Sequence, residues 1–280
     1  MPELPEVETI ARGLRKTILG KKIKSIKLSP CRILQNSTVC LSNKLNRQKI
    51  TQVKRRGKNI ILHLSGDDVI IIHLGMTGQL LFLTNKTPFG KHDHIELRFS
   101  DNTFLRFSDI RKFGKFKLAK FSPQKKLDDL RELGPEPLEI TKDAFIRLLQ
   151  KRKGKIKTTL LNQRVIAGIG NIYADETLFE AKIHPEEKVC DLGPSRLGKL
   201  HQAVRKILKK AIQAGGSSVD DYLNLEGIKG FFQLQHKAYG REGKPCTRCN
   251  TKIERIVLSQ RSSYFCPKCQ KSRGSPPETD

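Results

Sequence analysis

Four cysteines near the end of the chain form two Cys-x-x-Cys pairs, with sixteen residues between Cys249 and Cys266. Four thiolates at this spacing are typical of a tetrahedral zinc site, and four protein ligands leave no open position for a catalytic water. We therefore expect one structural Zn²⁺ ion, held by Cys246, Cys249, Cys266 and Cys269. The strand-like segments 253–258 and 262–265 predict a hairpin that is stabilised by the metal rather than by a core. Four unligated cysteines are the alternative.

The remaining three of the seven cysteines, Cys31, Cys40 and Cys190, are scattered. An odd count without a regular spacing argues against a disulfide scaffold. The chain has no run of about 18 apolar residues, which argues against a membrane span. Its start lacks the charged and then apolar form of a secretory signal. We expect a cytoplasmic protein that does not enter a membrane.

The charge of the chain predicts a polyanionic partner. Lys and Arg number 54 against 28 Asp and Glu, a net charge of +26. Two segments, 110–127 and 144–174, each hold seven Lys or Arg and no acidic residue. Clustering of this kind favours a groove for nucleic acid over an evenly basic surface. Membrane lipid is a weaker alternative, because neither segment lies beside a membrane anchor.

The first 120 residues predict a β-rich domain. Apolar residues at helical spacing follow Pro5 as far as Gly20, and Pro5 suits the first turn of a helix. Strand-like runs follow at 22–28, 50–53, 60–64, 69–74, 80–83, 95–99 and 104–107. Turn residues at 65–68 and 101–102 join two pairs of them as hairpins. We expect a two-sheet sandwich with the first helix at one side.

The rest of the chain changes character after a proline-bearing linker at 121–140. From 141 to 235 the pattern is helical, with helices starting after Thr141 and Asn171 and a third at 194–214. The stretch 215–239 predicts a loop, 236–270 the zinc hairpin, and 271–280 a disordered tail. The fold class is therefore α+β, with several domains: an N-terminal β-sandwich with a flanking helix, a helical domain and a C-terminal four-cysteine zinc hairpin.

The first residues of the chain carry a candidate nucleophile. Removal of Met1 would leave the secondary amine of Pro2 at the terminus, and an α-amino group titrates at about 7.7–8.0. An unprotonated amine can form a Schiff base, and Glu3 places a carboxyl group beside it. Glu6 follows one helical turn later. A helix start explains Pro5, Glu6 and the residues that follow, but it leaves Pro2 and Glu3 without a reason.

Several glycine-flanked segments predict contacts with a nucleic acid. Lys58 follows a glycine turn, and an exposed Met76 or Phe113 beside a glycine could act as an apolar wedge between bases. The glycines before Asn171 allow a phosphate to approach a helix N-terminus. Arg261 lies near the tip of the predicted hairpin. An ordinary turn or surface residue is the alternative for each. Alternation places His92 and His94 on one strand face, which favours phosphate contact or packing over metal binding.

Taken in order, these motifs resemble one family. They are Pro2-Glu3-Leu4-Pro5-Glu6, Arg56-Gly57-Lys58, His73-Leu74-Gly75-Met76, Lys91-His92-Asp93-His94, 109–114, 168–173 and the four-cysteine hairpin. The same motifs occur in the same order in bacterial formamidopyrimidine-DNA glycosylase, and the match covers residues 2–271. The resemblance implies a β-sandwich, a helix-two-turn-helix domain and a zinc finger, with damaged duplex DNA bound in the cleft between them by a monomer. It also implies excision of oxidised purines such as 8-oxoguanine and formamidopyrimidines, and then β,δ-elimination, in base excision repair.

The resemblance also implies residue roles. Pro2 is the Schiff-base nucleophile on sugar C1′, and Glu3 is its proton donor. Lys58 donates the proton for β-elimination and Arg261 for δ-elimination. Met76, Arg111 and Phe113 fill the gap left by the damaged base. The other expected DNA-binding residues are Glu6, His92, Lys153, Lys157 and Asn171. Lys112 stands where many relatives carry arginine, which puts bidentate phosphate binding there in question.

Two rival interpretations stay open at this stage. A sibling family, similar to endonuclease VIII, shares Pro2, Glu3 and the zinc hairpin but removes oxidised pyrimidines. Leu4, the Met76, Arg111 and Phe113 set, and the loop at 215–218 favour the purine enzyme. The other rival is a DNA-binding protein without catalysis, against which an intact Pro2 and Glu3 argue.

Overall fold

The computed structural model of the chain describes residues 1–121, 127, 130–219 and 222–271. Most of the predicted linker is described, but its residues 122–126 and 128–129, and the predicted tail from 272 onward, lie outside this range. The chain divides into two compact units. The first holds Met1–Arg131 and Ile212–Gln233, and the second holds Glu132–Ala211 and the chain from Leu234 onward.

The first unit begins with helix α1, Leu4–Thr17, which starts after Glu3 as its N-cap. Pro5 suits the first turn of a helix, because its fixed backbone and missing N–H cost nothing there. The helix buries one apolar face, formed by Leu4, Val7, Ile10, Ala11 and Leu14. Burial of such a stripe provides most of the stability of a helix of this length. The predicted amphipathic helix is confirmed.

Two four-stranded antiparallel sheets form the body of the first unit. One has the strand order β1-β6-β7-β5 and the other β2-β3-β4-β8. The strands are β1 (Ile23–Leu28), β2 (Ile50–Arg56), β3 (Asn59–Leu64), β4 (Asp68–His73), β5 (Gly78–Leu83), β6 (Asp93–Phe99), β7 (Phe104–Asp109) and β8 (Lys115–Lys120). The inner faces of both sheets and α1 share one hydrophobic core. The predicted sandwich is therefore confirmed, including the hairpins at 65–67 and 100–103.

The sequence analysis missed two short elements of this unit. Helix α2, Thr38–Leu45, is capped by the side chain of Ser37, which accepts a hydrogen bond from Cys40 N. Strand β8 lies in the basic segment 110–127 and pairs with β4 in register, with Ile72 opposite Phe116. Lys115 and Lys120 are exposed, and Phe116 and Leu118 are buried in the core. The density of lysine hid a two-residue alternation that is otherwise typical of an edge strand.

The segment 212–233 belongs to the first unit, which corrects the predicted boundary of 141–235. Leu225 lies against Gly13 of α1, and its carbonyl accepts a hydrogen bond of 3.1 Å from Phe82 N. Tyr222 and Leu225 join the sandwich core. Weak periodicity in this stretch predicted a loop correctly, apart from a 3₁₀ turn at Phe232–Gln235, but gave no sign of where the loop packs.

The second unit is helical. Its helices are α3 (Lys142–Gln150), α4 (Ile156–Leu161), α5 (Asn171–Ala181) and α6 (Pro194–Gln213). Thr141 caps α3 as predicted. The N-cap of α5 is Gly170 rather than Asn171, so the predicted cap was one residue late. Helix α4 is short and follows a run of basic residues, so its pattern was too brief to detect.

The zinc hairpin forms the end of the second unit. Strands β9 (Glu254–Leu258) and β10 (Arg261–Phe265) pair antiparallel. Ser259 and Gln260 join them, both with positive φ (48° and 62°), as a two-residue hairpin turn requires. The hairpin has a small core after all, because Ile253, Cys246 and Cys266 pack on Phe179 of α5. Among the described residues, no helix combines the length and the apolar character needed to cross a membrane.

Candidate active site

The amino end of the first unit is buried and fixed by hydrogen bonds. Pro2 and Glu3 are both buried. Glu3 N donates to Glu6 Oε2 over 2.8 Å, which closes a capping box at the start of α1. The structure therefore supplies a local reason for Glu3 that the sequence analysis did not see, since Glu3 is the N-cap of the helix. This role does not exclude chemistry, because both place the carboxyl group beside Pro2.

Glu6 also holds the loop that follows α6. Its other carboxylate oxygen, Oε1, accepts a hydrogen bond of 2.7 Å from Ser217 N. Tyr222 Oη donates to the Glu6 carbonyl over 3.4 Å. Burial, and after it the Glu6 charge, raise the pKa of the Tyr222 hydroxyl, which keeps it protonated as a donor. Glu6 is buried, and each of its two carboxylate oxygens accepts a hydrogen bond from a backbone N–H group. Its described contacts are therefore with the protein.

Lys58 lies on the two-residue turn between β2 and β3. Gly57 has a φ of 56°, a conformation that glycine adopts without strain. The Gly57 carbonyl accepts a hydrogen bond of 3.0 Å from Arg55 Nη1. The turn does not project Lys58 into solvent, because the residue is only 7% exposed. Other residues of the protein therefore cover most of the Lys58 surface.

His73 lies across the sheet from the Lys58 turn, paired with Asn59. Its Nδ1 accepts a hydrogen bond of 3.0 Å from Gly75 N, which requires a neutral ring. Burial, followed by the charges of Lys58 and Lys115, lowers the pKa of His73 to about 4. His73 therefore fixes the turn that carries Met76 while it remains uncharged near neutral pH.

Met76, Arg111 and Phe113 come together at one edge of the sandwich. A Cβ on Gly75 would lie 2.6 Å from Gly114 N, so the two loops are in close contact. Met76 and Phe113 are 41% and 44% exposed, as the wedge interpretation requires. The guanidinium carbon of Arg111 lies 4.9 Å from the centre of the Phe113 ring.

Buried Asp109 organises these loops. Its carboxylate accepts hydrogen bonds from Thr77 Oγ1 (2.5 Å), Arg111 N (3.2 Å) and Gly114 N (2.7 Å). Its backbone joins one further segment, 92–94, because Asp109 N donates to the His92 carbonyl over 2.9 Å. Its own carbonyl lies 2.9 Å from His94 Nε2. One carboxylate thus sets the geometry of both candidate wedge loops.

The two histidines at 92 and 94 do not share a face, which corrects the sequence analysis. Strand β6 begins at Asp93, so His92 precedes the strand and is exposed, whereas His94 is buried. The exposed ring of His92 can meet a phosphate. Among the described residues, the four cysteines form the one group of three or more metal-ligating side chains that could hold an ion.

In the second unit, Asn171 and Lys157 both bond the tip of the zinc hairpin. Asn171 Nδ2 and Lys157 Nζ donate to the Ser262 carbonyl over 3.0 Å and 2.8 Å. Lys157 is fully buried and forms an ion pair of 2.7 Å with buried Asp175. Burial raises the pKa of Asp175 to about 7, although the Lys157 ammonium opposes the shift. The described contacts of Lys157 are with the protein, whereas a DNA ligand was expected.

Two other predicted residues of this unit are accessible. Lys153 is exposed in the loop between α3 and α4, and Arg261 is exposed directly after the Ser259–Gln260 turn. Both positions suit a cation that reaches a phosphate. The turn geometry places Arg261 at the tip, as the sequence analysis expected.

The four cysteines form a structural zinc site. Their Sγ atoms all lie within 4.8 Å of one another, with Cys249 Sγ 3.5 Å from Cys266 Sγ. Four sulfurs bound at about 2.3 Å in a tetrahedron would be about 3.8 Å apart, so the cluster fits the ion. Backbone N–H groups of Arg248 and Cys269 point at two of the sulfurs, as outer partners of a thiolate site do.

Sequence reasoning missed four residues that organise these sites: Arg55, Asp109, Asp175 and Tyr222. Each of them bonds a partner that is distant in the chain or that lies in the same turn. None of them belongs to a motif with a recognisable spacing. A single signal was available: Asp109 is the one acidic residue in the segment 109–114, and a carboxylate before a run of N–H groups often bonds them.

Family models match the chain in three consecutive parts. The formamidopyrimidine-DNA glycosylase N-terminal domain matches residues 1–116, and the H2TH domain of the same enzyme matches 133–222. A zinc finger found in FPG and IleRS matches 243–271. All three parts agree with the elements described above.

Similar proteins extend the match to the whole chain. The formamidopyrimidine-DNA glycosylase of Solibacter usitatus is 45% identical over 97% of this chain and 100% of its own length. That of Ligilactobacillus salivarius is 42% identical over 96% and 99%. A variant of Lactococcus lactis FPG, solved with DNA containing Fapy-dG, has a TM-score of 0.88 at 38% identity and covers 97% of this chain and 100% of its own. With this similarity over its full length, the chain belongs to the formamidopyrimidine-DNA glycosylase family.

Proposed function

We propose that the protein excises oxidised purines from duplex DNA through a Schiff base on Pro2 and then cleaves the strand by β,δ-elimination. Family membership makes it a DNA glycosylase of base excision repair, with the lyase activity that the family carries. The assignment of steps to residues is our proposal. The observation that carries it is the buried Pro2-Glu3 pair at the start of α1, held by Glu6 to the loop 215–218.

The first step forms the covalent intermediate. The Pro2 nitrogen bonds to C1′ of the damaged nucleotide, the bond from C1′ to the base breaks, and the base leaves with the electron pair and the amine proton. The C1′–O4′ bond then opens to an iminium ion, and Glu3 supplies the proton that O4′ takes up. A secondary amine is suited to this step because its iminium is a strong electron sink.

The iminium makes the following strand cleavage possible. It acidifies the C2′ hydrogens, so that loss of a C2′ proton forms a C2′=C3′ double bond and breaks the C3′–O bond. The departing phosphate takes the electron pair, and we assign its proton to Lys58. Loss of the 5′ phosphate then follows in the same way, with Arg261 as the acid.

The damaged nucleotide must leave the stack before Pro2 can reach it, at a cost of a few kcal/mol. Met76, Arg111 and Phe113 offset part of that cost by occupying the vacated space. The exposed side chains of His92, Lys153 and Arg111 bind phosphates. Glu6 and Lys157, being buried, support DNA binding indirectly: Glu6 positions the loop 215–218, and Lys157 positions the hairpin tip.

Reduction of the Schiff base tests the proposal. Borohydride added during reaction with a duplex containing 8-oxoguanine should trap a covalent adduct, and peptide mapping should place the sugar on the N-terminal Pro2 peptide. An adduct on a lysine with Pro2 unmodified would overturn the assignment. Retention of Met1 in the active protein would do the same, because no free proline amine would then exist.

A second activity, on oxidised pyrimidines, has one observation in its favour. A solved structure of Lactococcus lactis FPG, 38% identical and with a TM-score of 0.87, holds DNA containing an oxidised pyrimidine. Excision of 8-oxoguanine opposite cytosine should nevertheless exceed excision of thymine glycol. The reverse ratio would assign the protein to the pyrimidine enzymes.

We further propose that the protein acts as a monomer in the cytoplasm, on the chromosomal DNA. The solved relatives are complexes with damaged DNA, and the net charge of +26 suits that partner. Light scattering of the protein with and without a lesion duplex would test the monomer.

A further inference from the structure

A partly buried ion cluster joins helix α1 to the Lys58 turn, and no step of the mechanism above uses it. Its centre is Glu8, on the first turns of α1. Glu8 Oε1 accepts hydrogen bonds from Arg12 Nε (3.1 Å) and Arg15 Nη1 (3.0 Å). Glu8 Oε2 accepts one from Arg55 Nε (3.0 Å). Burial alone would raise the pKa of Glu8, but the bonds from Arg15 and Arg55 lower it, so the carboxylate stays charged.

Arg55 is the member of this cluster that reaches the turn. Through Nε it bonds Glu8, and through Nη1 it bonds the Gly57 carbonyl, both over 3.0 Å. Its side chain is 8% exposed, whereas that of Arg12 is 56% exposed. A desolvated, bidentate guanidinium holds two acceptors in a fixed geometry, which a lysine cannot do.

The turn that Arg55 reaches is also restrained by the strands on either side of it. It has two residues, because Arg56 pairs with Asn59 in the β2–β3 ladder. Asn59 Nδ2 donates to the Arg56 carbonyl over 3.2 Å, which restrains the ends of the turn. The Gly57 carbonyl is in the peptide bond that leads directly to Lys58. Rotation of that peptide would move the start of the Lys58 side chain.

We propose that Arg55, supported by Glu8, is a positioning residue for the Lys58 step of strand cleavage. The inference rests on the proposed function. Glu8 lies on α1, the helix that Pro2 and its N-cap Glu3 directly precede, so the cluster fixes the elimination acid relative to the nucleophile. A misplacement of about 1 Å in a catalytic group can cost about 10²-fold in rate.

The alternative is that the cluster only stabilises the fold. The positioning role and the purely structural role predict different kinetics. A merely structural defect would slow base excision and strand cleavage alike. A displaced Lys58 would slow cleavage and leave Pro2 attack intact. Arg12 offers a matched control, because it bonds the same Glu8 carboxylate, whereas its described hydrogen bonds include none to Gly57 or to β2.

The experiment compares Arg55→Met, Arg55→Lys and Arg12→Met with the unmodified protein, at saturating enzyme and in single turnovers. One assay follows release of 8-oxoguanine, and a second follows cleavage of a duplex with a preformed abasic site. Thermal unfolding of each variant checks the fold. Borohydride trapping measures the fraction of adduct whose strand is still intact.

For Arg55→Met we expect cleavage to fall by about tenfold or more, excision to change less than about twofold, and trapped adduct with an intact strand to accumulate. Arg55→Lys should give a cleavage rate between those of Arg55→Met and the unmodified protein. A lysine ammonium can bond Glu8 or the Gly57 carbonyl, but it lacks the forked guanidinium that bonds both. Arg12→Met should match the unmodified protein in both rates.

Equal losses of excision and cleavage in Arg55→Met, or unchanged cleavage, would overturn the inference. If Arg55→Met does not fold, the ratio of cleavage to excision in Arg55→Lys tests the inference instead. Failure of the proposed function is distinct, because the unmodified protein would then form no adduct.

Discussion

Glu3 has a structural role, as the N-cap of α1, and a proposed chemical role. As N-cap it faces the first N–H groups of α1, where a carboxylate is favoured by the helix dipole. As the neighbour of Pro2 it is the proposed acid. An amide keeps the size and an acceptor oxygen of the side chain but cannot donate an acidic proton.

Glu3→Gln should therefore keep the fold and DNA binding and lose base excision by at least about 10²-fold, a typical contribution of a general acid. Release of 8-oxoguanine and the affinity for an uncleaved lesion duplex are the two measurements. Excision at the unmodified rate would remove Glu3 from its role. Glu8→Gln is a control for the loss of a carboxylate elsewhere on α1.

His73 makes the stability of the first unit depend on pH. Its pKa is lowered from an ordinary 6.5 to about 4 in the folded protein. The unfolded chain therefore binds a proton that the folded chain does not bind between these values. The contribution to stability is present above pH 6.5 and is lost as the pH falls towards 4, by at most about 1.4 kcal/mol per pH unit.

His73→Asn should lessen that loss, because Asn Oδ1 can accept the hydrogen bond from Gly75 N and does not titrate. Unfolding free energies at pH 7 and at pH 4.5 measure the slope for both proteins. The wild-type slope also contains His236, whose pKa burial lowers to about 4, so the difference between the proteins isolates His73. Identical slopes would contradict the assignment.

At the scale of elements, the loop after α6 depends on close backbone approach at Gly216. Its φ is 86°, and a Cβ there would lie 2.9 Å from Glu6 Oε1 and 3.2 Å from Tyr222 Cε1. Gly227 has a similar φ of 77°, but a Cβ there would meet nothing within 4 Å. The two positions thus share backbone strain and differ in contact.

Gly216→Ala should reduce base excision, because the added methyl group separates the loop from Glu6, and should cost about 1–3 kcal/mol more than the strain alone. Gly227→Ala should lose only the strain cost of about 1–2 kcal/mol and keep excision near the unmodified rate. Denaturant unfolding and 8-oxoguanine release measure both effects. If the two variants lose the same stability and the same excision activity, the packing of the loop on Glu6 does not depend on the close approach at Gly216.

At the scale of the whole molecule, the two units are stabilised in different ways. The first has a large core shared by α1 and both sheets. The zinc hairpin has only the small cluster on Phe179 besides the metal. It is tied to α5 by Glu176, whose Oε1 accepts hydrogen bonds of 2.9 Å from both Ala238 N and Tyr239 N.

Cys249→Ala, or removal of zinc by a chelator, should therefore weaken DNA binding more than it lowers the thermal midpoint of the first unit. Loss of the ion frees the hairpin that carries Arg261, whereas the sandwich core contains none of its ligands. Duplex affinity at fixed salt and unfolding followed by calorimetry are the measurements. Cys40→Ala, outside the zinc site, is the control, and equal loss of affinity and first-unit stability would contradict this division.

Local patterns accounted for much of the fold. Strand-like runs, of which 22–28 alternates in two-residue steps, predicted seven of the sandwich strands, and the spacing of apolar residues predicted α1, α3 and α6. Local patterns failed for α4, which has six residues, and for β8, in which three lysines among six residues obscured the alternation of Phe116 and Leu118 with lysine. Short elements depend on their neighbours in space, which a local pattern does not contain.

Sequence alone determined the zinc ligands, the amine that Met1 removal would expose, and the order of the glycine-flanked motifs, because each depends on covalent neighbours or on spacings of a few residues. Tertiary structure decided which of those motifs meet. Ser217 N binds Glu6 across 211 residues of chain, and Lys157 binds the Ser262 carbonyl across 105. It also decided that Glu6 and Lys157 face the protein interior. Contacts of this kind form only when separate elements pack, and packing buries a side chain according to the whole core rather than to its own segment.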